Sequence, residues 1–354
     1  MSTILVTGGA GFIGVNASYR WARTGHRVVV LDDLSRRGAD LNLRWLQSEV
    51  DVEFVRADVR DRAAIDAAIS GHRPDVVLHL AAQVAVTTSV ADPRHDFEVN
   101  ALGTFNVLDA LRRLHPEAFF IYASTNKVYG RMEDLGVEER DGRYVLKDLP
   151  QGVSESRPLD FHSPYGCSKG AADQYTLDFH KSYGLRTVVF RQSCIYGQRQ
   201  FGVEDQGWVA WFLIAAELGL PVTIYGDGKQ VRDLLHVDDL VDLYDAAIGR
   251  PQAVAGHAFN VGGGPENVLS LNELVAWIET RTRRTLNGHR AEWRTGDQPV
   301  FVANYLKVSK ALGWQPGTAW ATGISGLASW IGANRRALCE MHAPLLASPH
   351  DADR

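Results

Sequence analysis

Tyr165 and Lys169 stand four residues apart in Ser163-Pro164-Tyr165-Gly166-Cys167-Ser168-Lys169. That is one helical turn, so phenol and ammonium share a face. A phenol is a poor base at neutral pH, because its reference pKa is about 10. Bringing it near neutrality takes about 3 units, or roughly 4 kcal/mol. A cation ~4 Å away at an effective dielectric of ~20 supplies about that much. The pair therefore predicts a tyrosinate that takes a proton from an alcohol, with the lysine lowering its pKa. Alone, Tyr-x-x-x-Lys is common on exposed polar helix faces, so its weight depends on its company.

That company begins at the chain start with Thr7-Gly8-Gly9-Ala10-Gly11-Phe12-Ile13-Gly14, directly after the apolar run Ile4-Leu5-Val6. Gly8, Gly11 and Gly14 are spaced for a strand, a tight turn and a helix whose N-terminus, at Phe12 and Ile13, seats a pyrophosphate. A second strand, Arg27 to Leu31, ends at Asp32, 18 residues past Gly14. A carboxylate there accepts the 2′-hydroxyl of a ribose. It repels a 2′-phosphate, which favours NAD over NADP, although Arg36 and Arg37 are groups that bind such a phosphate. An oxidised nicotinamide beside Tyr165 would add its positive charge to that of Lys169.

The elements that must carry these groups alternate. Val52 to Arg56, Val76 to Leu80, Phe119 to Ala123 and Thr187 to Arg191 read as strands. Arg62 to Ile69, Phe97 to Leu114 and Tyr165 to Tyr183 read as helices. This is the rhythm of an α/β doubly wound parallel sheet, a Rossmann fold, over residues 1–190. A smaller α/β, mainly substrate-binding portion is expected at 191–340, and a disordered tail at 341–354. The polar insert from Arg131 to Arg157 lacks a period and is expected to form a loop over the active site.

The chain has 354 residues, a net charge of −5 and a hydrophobic share of 45%. These values suit a soluble globular protein and argue against a nucleic-acid surface. No apolar run approaches a membrane span, and Met1 leads at once into a strand, so a cytoplasmic protein without a signal peptide is expected. Cys167, Cys194 and Cys339 are widely spaced, which indicates free thiols and no metal.

Together these residues resemble the extended short-chain dehydrogenase/reductase family, the sugar-nucleotide epimerases and dehydratases. Further landmarks are Asp58-Val59, Leu80-Ala81-Ala82, Asn100, Ser124 to Gly130, Tyr196-Gly197, Arg232-Asp233 and Gly313 to Pro316. The resemblance implies Asp58 and Val59 at the adenine, Leu80 to Ala82 along the cofactor phosphates and ribose, and Asn100 in the cofactor site. It makes Thr125 the residue that hydrogen-bonds the reacting hydroxyl, with Lys169 also holding the nicotinamide ribose. Arg232 matches an arginine that grips a diphosphate, and Asp297 is expected near the nucleotide ribose. Cys194 stands where many relatives carry a phosphate-binding asparagine.

Longer stretches narrow the resemblance. Ser124 to Gly130, Leu159 to Tyr175, Arg199-Gln200-Phe201, Asp205 to Trp208 and Gly228 to Asp233 are similar to epimerases that act at C2 of a CDP-hexose. Asn126, Lys127 and Gln200 join the expected substrate site on that ground. The chemistry agrees. A dehydratase needs an Asp-Glu pair directly after its threonine, and here Asn126 and Lys127 follow Thr125. A related decarboxylase commonly has Glu at the place of Lys127, and a 3,5-epimerase a cysteine in that loop. What remains is oxidation of a hydroxyl and return of hydride, which inverts a carbon without consuming NAD. A 4-epimerase or reductase of another nucleotide sugar is the alternative, and a non-catalytic NAD sensor would have lost the Tyr165/Lys169 pair.

His162 and His236 are read as packed or hydrogen-bonded residues without catalytic duty. Trp208 and Trp211 suit stacking on a base or, at helical spacing, the core. In relatives, helices matching Phe97–Leu114 and Tyr165–Tyr183 pair across a twofold axis, so a homodimer or higher homo-oligomer is expected, with Phe97, Leu108, Leu111 and Leu177 available for the face.

Overall fold

The computed structural model of the chain describes residues 1–283, 285–294 and 297–347. Seven parallel strands form the main sheet: β1 (Thr3–Thr7), β2 (Arg27–Asp32), β3 (Glu53–Arg56), β4 (Val76–His79), β5 (Phe119–Thr125), β6 (Arg186–Gln192) and β7 (His257–Val261). Their order is β7-β6-β5-β4-β1-β2-β3. The order reverses between β1 and β4, and a crevice opens there beyond the carboxyl ends of the strands. Within β1 the side chains alternate. Ile4 and Val6 join Trp21 on one face of the sheet, and Leu5 joins Ile65, Leu108 and Phe179 on the other. A strand buried on both faces reads as a continuous apolar run, which is why Ile4-Leu5-Val6 announced itself.

The sheet does not close within residues 1–190. β7 comes from the later portion and pairs with β6 from His257↔Val188 to Val261↔Gln192. The helix Val237–Gly249 also packs here, with Leu240, Leu243 and Tyr244 in the cluster that holds Val6. The rest of the later portion is a smaller unit. Its strand Val231–His236 pairs with Cys194–Tyr196 and Val300–Phe301 in parallel and with Val268–Ser270 antiparallel. The helix Trp208–Leu218 is apolar on every side and nearly every residue is buried, Trp211 included, against Ile324, Leu327 and Ile331.

Four expectations need correction. The insert from Arg131 to Arg157 is not an unstructured loop over the site. Val137–Arg140 and Arg143–Leu146 make an antiparallel hairpin, and Val137, Tyr144 and Leu146 pack on Val231, Val300 and Val302. The helix expected from Phe97 to Leu114 starts earlier, at Pro93, with Asp92 accepting from the His95 N–H at 3.0 Å. It widens into a π turn over Glu98–Leu102 before continuing as Gly103–Leu114. Leu108 and Leu111, offered for an oligomer face, are buried within the chain, because the Arg62–His72 helix covers them. Phe97, Leu102, Phe105, Tyr175 and Tyr183 are the exposed apolar groups on those helices. Finally, residues 341–347 of the expected tail are helical apart from His342, which is buried. Residues 348–354 lie outside the described residues.

Candidate active site

A cavity of about 560 Å³ fills the crevice at the switch point. Gly8, Gly11, Phe12, Ile13, Gly14, Asp32, Asp58, Val59, Leu80, Ala81 and Ala82 all line it. Gly8 has φ +68°, and a Cβ there would stand 2.7 Å from the Ala81 backbone nitrogen. A Cβ on Gly11 would meet only the Gly8 carbonyl, at 3.1 Å, so that backbone is open on its cavity side. These are the requirements of a pyrophosphate cradle. The Asp32 carboxylate accepts from the Ala10 N–H at 3.0 Å and the Leu34 N–H at 2.8 Å. Burial nevertheless pushes its pKa up. Arg36 lines the same cavity, and its guanidinium donates to Oε1 of Gln206 at 2.6 Å. A dinucleotide fits the residues present.

Asn100 is not part of the cavity wall. It sits behind it, where its Oδ1 accepts the Gln83 N–H at 2.9 Å and its Nδ2 donates to the Gln83 carbonyl at 3.0 Å. It shapes the Leu80–Ala85 segment from outside. His79 does similar work from β4. Nδ1 lies 2.7 Å from the Thr7 hydroxyl and Nε2 2.9 Å from that of Thr104, and burial holds the ring neutral, with a pKa of about 3. The Thr104 hydroxyl donates to the Asn100 carbonyl at 2.6 Å, so the ring donates from Nε2 and accepts at Nδ1.

Thr125 ends β5, and Tyr165 and Lys169 lie on the helix Ser163–Tyr183, where Pro164 occupies the first turn. All three line the first cavity, and Thr125 and Tyr165 also line a second. The expected electrostatics do not hold for the chain by itself. Burial pushes the Tyr165 phenol up to about 12, against a hydrogen bond from Thr125 that lowers it. Burial also brings Lys169 down to about 7, against the carboxylates of Asp173 and Asp96. Lys169 spends its charge elsewhere: Nζ donates to the Ala123 carbonyl at 2.6 Å and stands 4.3 Å from the centre of the Tyr122 ring. Desolvation therefore outweighs attraction between the pair, and the lysine does not prepare a tyrosinate unaided.

The second cavity, about 540 Å³, shares Val84, Thr125, Tyr165 and Gln206 with the first. Asn126, Lys127, Arg232 and Asp297 line it. Arg232 donates to Asp297 Oδ1 at 2.5 Å, and Lys127 Nζ lies 3.6 Å from the same oxygen. Burial favours a neutral Asp297, but Arg232 and Lys127 outweigh it and hold the carboxyl below its usual range. Burial lowers Lys127 to about 8 despite Asp297. Two cations against one carboxylate leave an excess of positive charge that suits a diphosphate. Gln200 lines the first cavity and not the second. Trp208 lines the second, whereas Cys194 lines neither. His236 caps a helix by accepting from the Asp238 N–H at 3.3 Å, in keeping with a structural role.

Two features escaped the sequence. Beneath Thr125, Arg191 makes two 2.9 Å bonds to the buried Asp173, which also accepts from Ser124 at 2.8 Å. Arg191 further donates to Tyr129, whose hydroxyl donates to Asn260 at 2.7 Å. Over the first cavity runs a strap, Gln198 to Gln206. Asn16 holds the Gln198 carbonyl at 3.0 Å, Asn42 holds that of Arg199 at 3.2 Å, and the Arg199 guanidinium lies 3.7 Å from the Trp45 ring centre. Asn16 and Asn42 read in sequence as polar helix positions, and nothing in their spacing names a distant carbonyl.

A doubly wound sheet with a dinucleotide cradle, opening at a Thr-Tyr-Lys trio onto a cavity that holds the Lys127–Arg232 pair of cations, defines an NAD-dependent oxidoreductase site for a phosphorylated alcohol. Residues 4–262 match the NAD dependent epimerase/dehydratase family, and the chain belongs to it. It is 45% identical over 92% of its length, and 98% of the other, to "CDP-paratose 2-epimerase" of Salmonella typhi. It is 31% identical over 95% of its length to "dTDP-glucose 4,6-dehydratase" of Xanthomonas campestris, covering 94% of that protein. UDP-glucose 4-epimerase from Thermus thermophilus, solved with NAD, superposes with a TM-score of 0.77 at 32% identity, over 94% of this chain and 99% of that one. The cofactor is NAD, and the enzyme is an epimerase-type isomerase of this family.

Proposed function

We propose that the protein inverts C2 of a CDP-hexose by oxidising its hydroxyl, letting the ketose turn, and reducing it on the other face. One observation carries this reading. Asn126 and Lys127 line the cavity beside Thr125, where elimination would need carboxylates. The carboxylates that the cavity does have are engaged elsewhere: Asp297 by Arg232, Asp205 by Arg294, and Glu204 by the Tyr225 hydroxyl. The likeness to the Salmonella typhi relative supports C2 and the cytidine nucleotide.

NAD, when bound, takes hydride from the substrate carbon and gives it back. Thr125 orients the hydroxyl, and Tyr165 receives its proton and later returns it. With the phenol at about 12 in the chain itself, a bound oxidised nicotinamide would supply positive charge that favours the transfer. Arg232 and Lys127 hold the diphosphate while the sugar turns. Because NAD is regenerated, it need not leave, and the strap over its cavity favours its staying. We infer a homodimer through the exposed Phe97, Leu102, Phe105, Tyr175 and Tyr183, and a cytoplasmic location in keeping with three free cysteines. Among the described residues no helix is long and apolar enough to cross a membrane.

The test is incubation in D₂O with CDP-, UDP-, GDP- and dTDP-hexoses, resolved by NMR. A CDP-hexose should invert at C2 without solvent deuterium there, and substrate deuterated at C2 should keep its label. Inversion at C4, net reduction, or label washout would overturn the reading.

A further inference from the structure

The mechanism above makes no use of Asp96, a fully buried carboxylate beside the catalytic pair. Its Oδ2 accepts from the Ser168 hydroxyl at 2.5 Å. Its Oδ1 accepts from Asn100 Nδ2 at 3.0 Å and from Gln83 Nε2 at 3.2 Å. Ser168 lies between Tyr165 and Lys169 on their helical turn, and Gln83 belongs to the wall of the NAD cavity. Asn100 reaches this carboxylate from the π turn Glu98–Leu102, where a widened turn redirects side chains. We propose that Asp96 is a positioning residue. It ties the turn carrying Tyr165 and Lys169 to the cofactor wall, and its negative charge acts on both.

How far the charge of Asp96 reaches depends on its partners. Lys169 feels two buried carboxylates, Asp96 and Asp173. Asp173 is closed into a two-bond ion pair with Arg191, so that pair acts on Lys169 as a dipole. Among the described residues, the hydrogen-bond partners of Asp96 are one hydroxyl and two amides; burial pushes its pKa up, and the Ser168 hydrogen bond with the nearby Lys169 and His95 acts against that. The other groups near the pair are Tyr122 on β5, His79 on β4, held neutral, and His95 beside Asp96. An anion here favours the ammonium of Lys169 and disfavours the phenolate of Tyr165. Removing it must lower both pKa values together, a pattern that simple loosening of the site would not give.

The inference rests on Tyr165 as the base, and its test includes a reading that needs no substrate. Asp96→Asn keeps the shape and one acceptor oxygen. Phenolate absorbance of Tyr165, taken as the difference from the matching Tyr165→Phe protein, should titrate about one pH unit lower in Asp96→Asn. With substrate, both limbs of the rate profile should shift the same way, the acid limb from Tyr165 and the alkaline limb from Lys169. Ser168→Ala removes the tether and, with it, one hydrogen bond that favours the Asp96 carboxylate, so kcat should fall about tenfold with KM in place. It also serves if Asp96→Asn does not fold. Unmoved titration in a folded Asp96→Asn protein, or limbs that move in opposite directions, would overturn the charge role. Ser168→Ala with unchanged kcat would overturn the tether. A shifted phenolate with no turnover of any nucleotide sugar would sink the proposed reaction and leave this inference standing.

Discussion

The two cavities that meet at Tyr165 are built on opposite principles. The NAD cavity is mostly backbone: open glycines, the Ala10 and Leu34 N–H groups on Asp32, and the Leu80–Ala85 segment. The second cavity has an apolar wall set with ionic side chains, Lys127, Glu204, Asp205, Arg232, Arg294 and Asp297, gathered from separate stretches of chain. A backbone cradle demands particular residues at particular spacings and is therefore written locally. A charge cluster demands only that ions meet after folding. The first recognises what every member of the family holds in common, and the second has to tell one nucleotide sugar from another.

Tyr165 lines both cavities, so the largest effect is expected there. Tyr165→Phe keeps the ring and removes the proton acceptor, and kcat should fall by about 10²–10⁴ with bound NAD nearly unchanged. NAD content after denaturation and steady-state rates check both halves. Loss of NAD along with activity would mean that the phenol holds the cofactor, and that the border between the cavities is misplaced.

Arg232→Met should break the charged cavity alone. A hydrogen bond to a charged group is worth about 1.5–3 kcal/mol, so KM should rise roughly 10–100-fold while kcat changes little. Asp297, freed of Arg232, would turn to Lys127, 3.6 Å away, and by neutralising it deepen the loss. A fall in kcat at unchanged KM would place Arg232 in the chemistry and not in binding.

This contrast also explains what the sequence disclosed. The parallel sheet was legible because buried strands are unbroken apolar runs and the glycine turn has one spacing. The Tyr165–Lys169 turn was legible for the same local reason. β7 was not, since His257–Val261 lies 65 or more residues beyond β6 and a short apolar run does not say which sheet it joins. Gln200 was assigned to the substrate through its neighbours' likeness, yet the strap carries it to the NAD side. Leu108 and Leu111 have the periodicity of a helix face, but periodicity cannot say whether the covering partner is Ile65 of the same chain or a second copy. The Asp173–Arg191 pair and Asp96 were invisible because buried polar networks join groups that the chain separates.

A smaller effect, on stability, separates the two kinds of construction again. Burial lowers Lys169 from its ordinary value to about 7 in the fold. Between that pH and the ordinary lysine value near 10.4, the unfolded chain binds more protons than the folded one. Folding stability contributed by this group therefore rises with pH across that window, and the charged form at or below pH 7 is a burden. Lys169→Met should raise the melting temperature at pH 6 to 7, by an amount that shrinks towards pH 10, while abolishing turnover. A cost in stability from Lys169→Met at pH 6 would mean that the Ala123 carbonyl and the Tyr122 ring repay its desolvation in full.

The smallest effect belongs to the hairpin at Val137–Leu146, and it tests whether the substrate side has a lid. Its strand Arg143–Leu146 carries Tyr144, whose hydroxyl donates to Asp227 at 2.5 Å, and whose backbone N–H donates to the Lys229 carbonyl at 3.0 Å. None of its residues lines either cavity. Tyr144→Phe removes one hydrogen bond from a half-exposed site and leaves the backbone pairing in place. The expected cost is about 1 kcal/mol in denaturant unfolding, with kcat and KM within twofold of the parent. Were the hairpin instead to close over the sugar, its anchoring to Asp227 would set how fast product leaves, and kcat would move with the substitution. A threefold or larger change in kcat at intact stability would return the insert to the active site and erase the distinction between a charged cavity held open by the core and one closed by a moving loop.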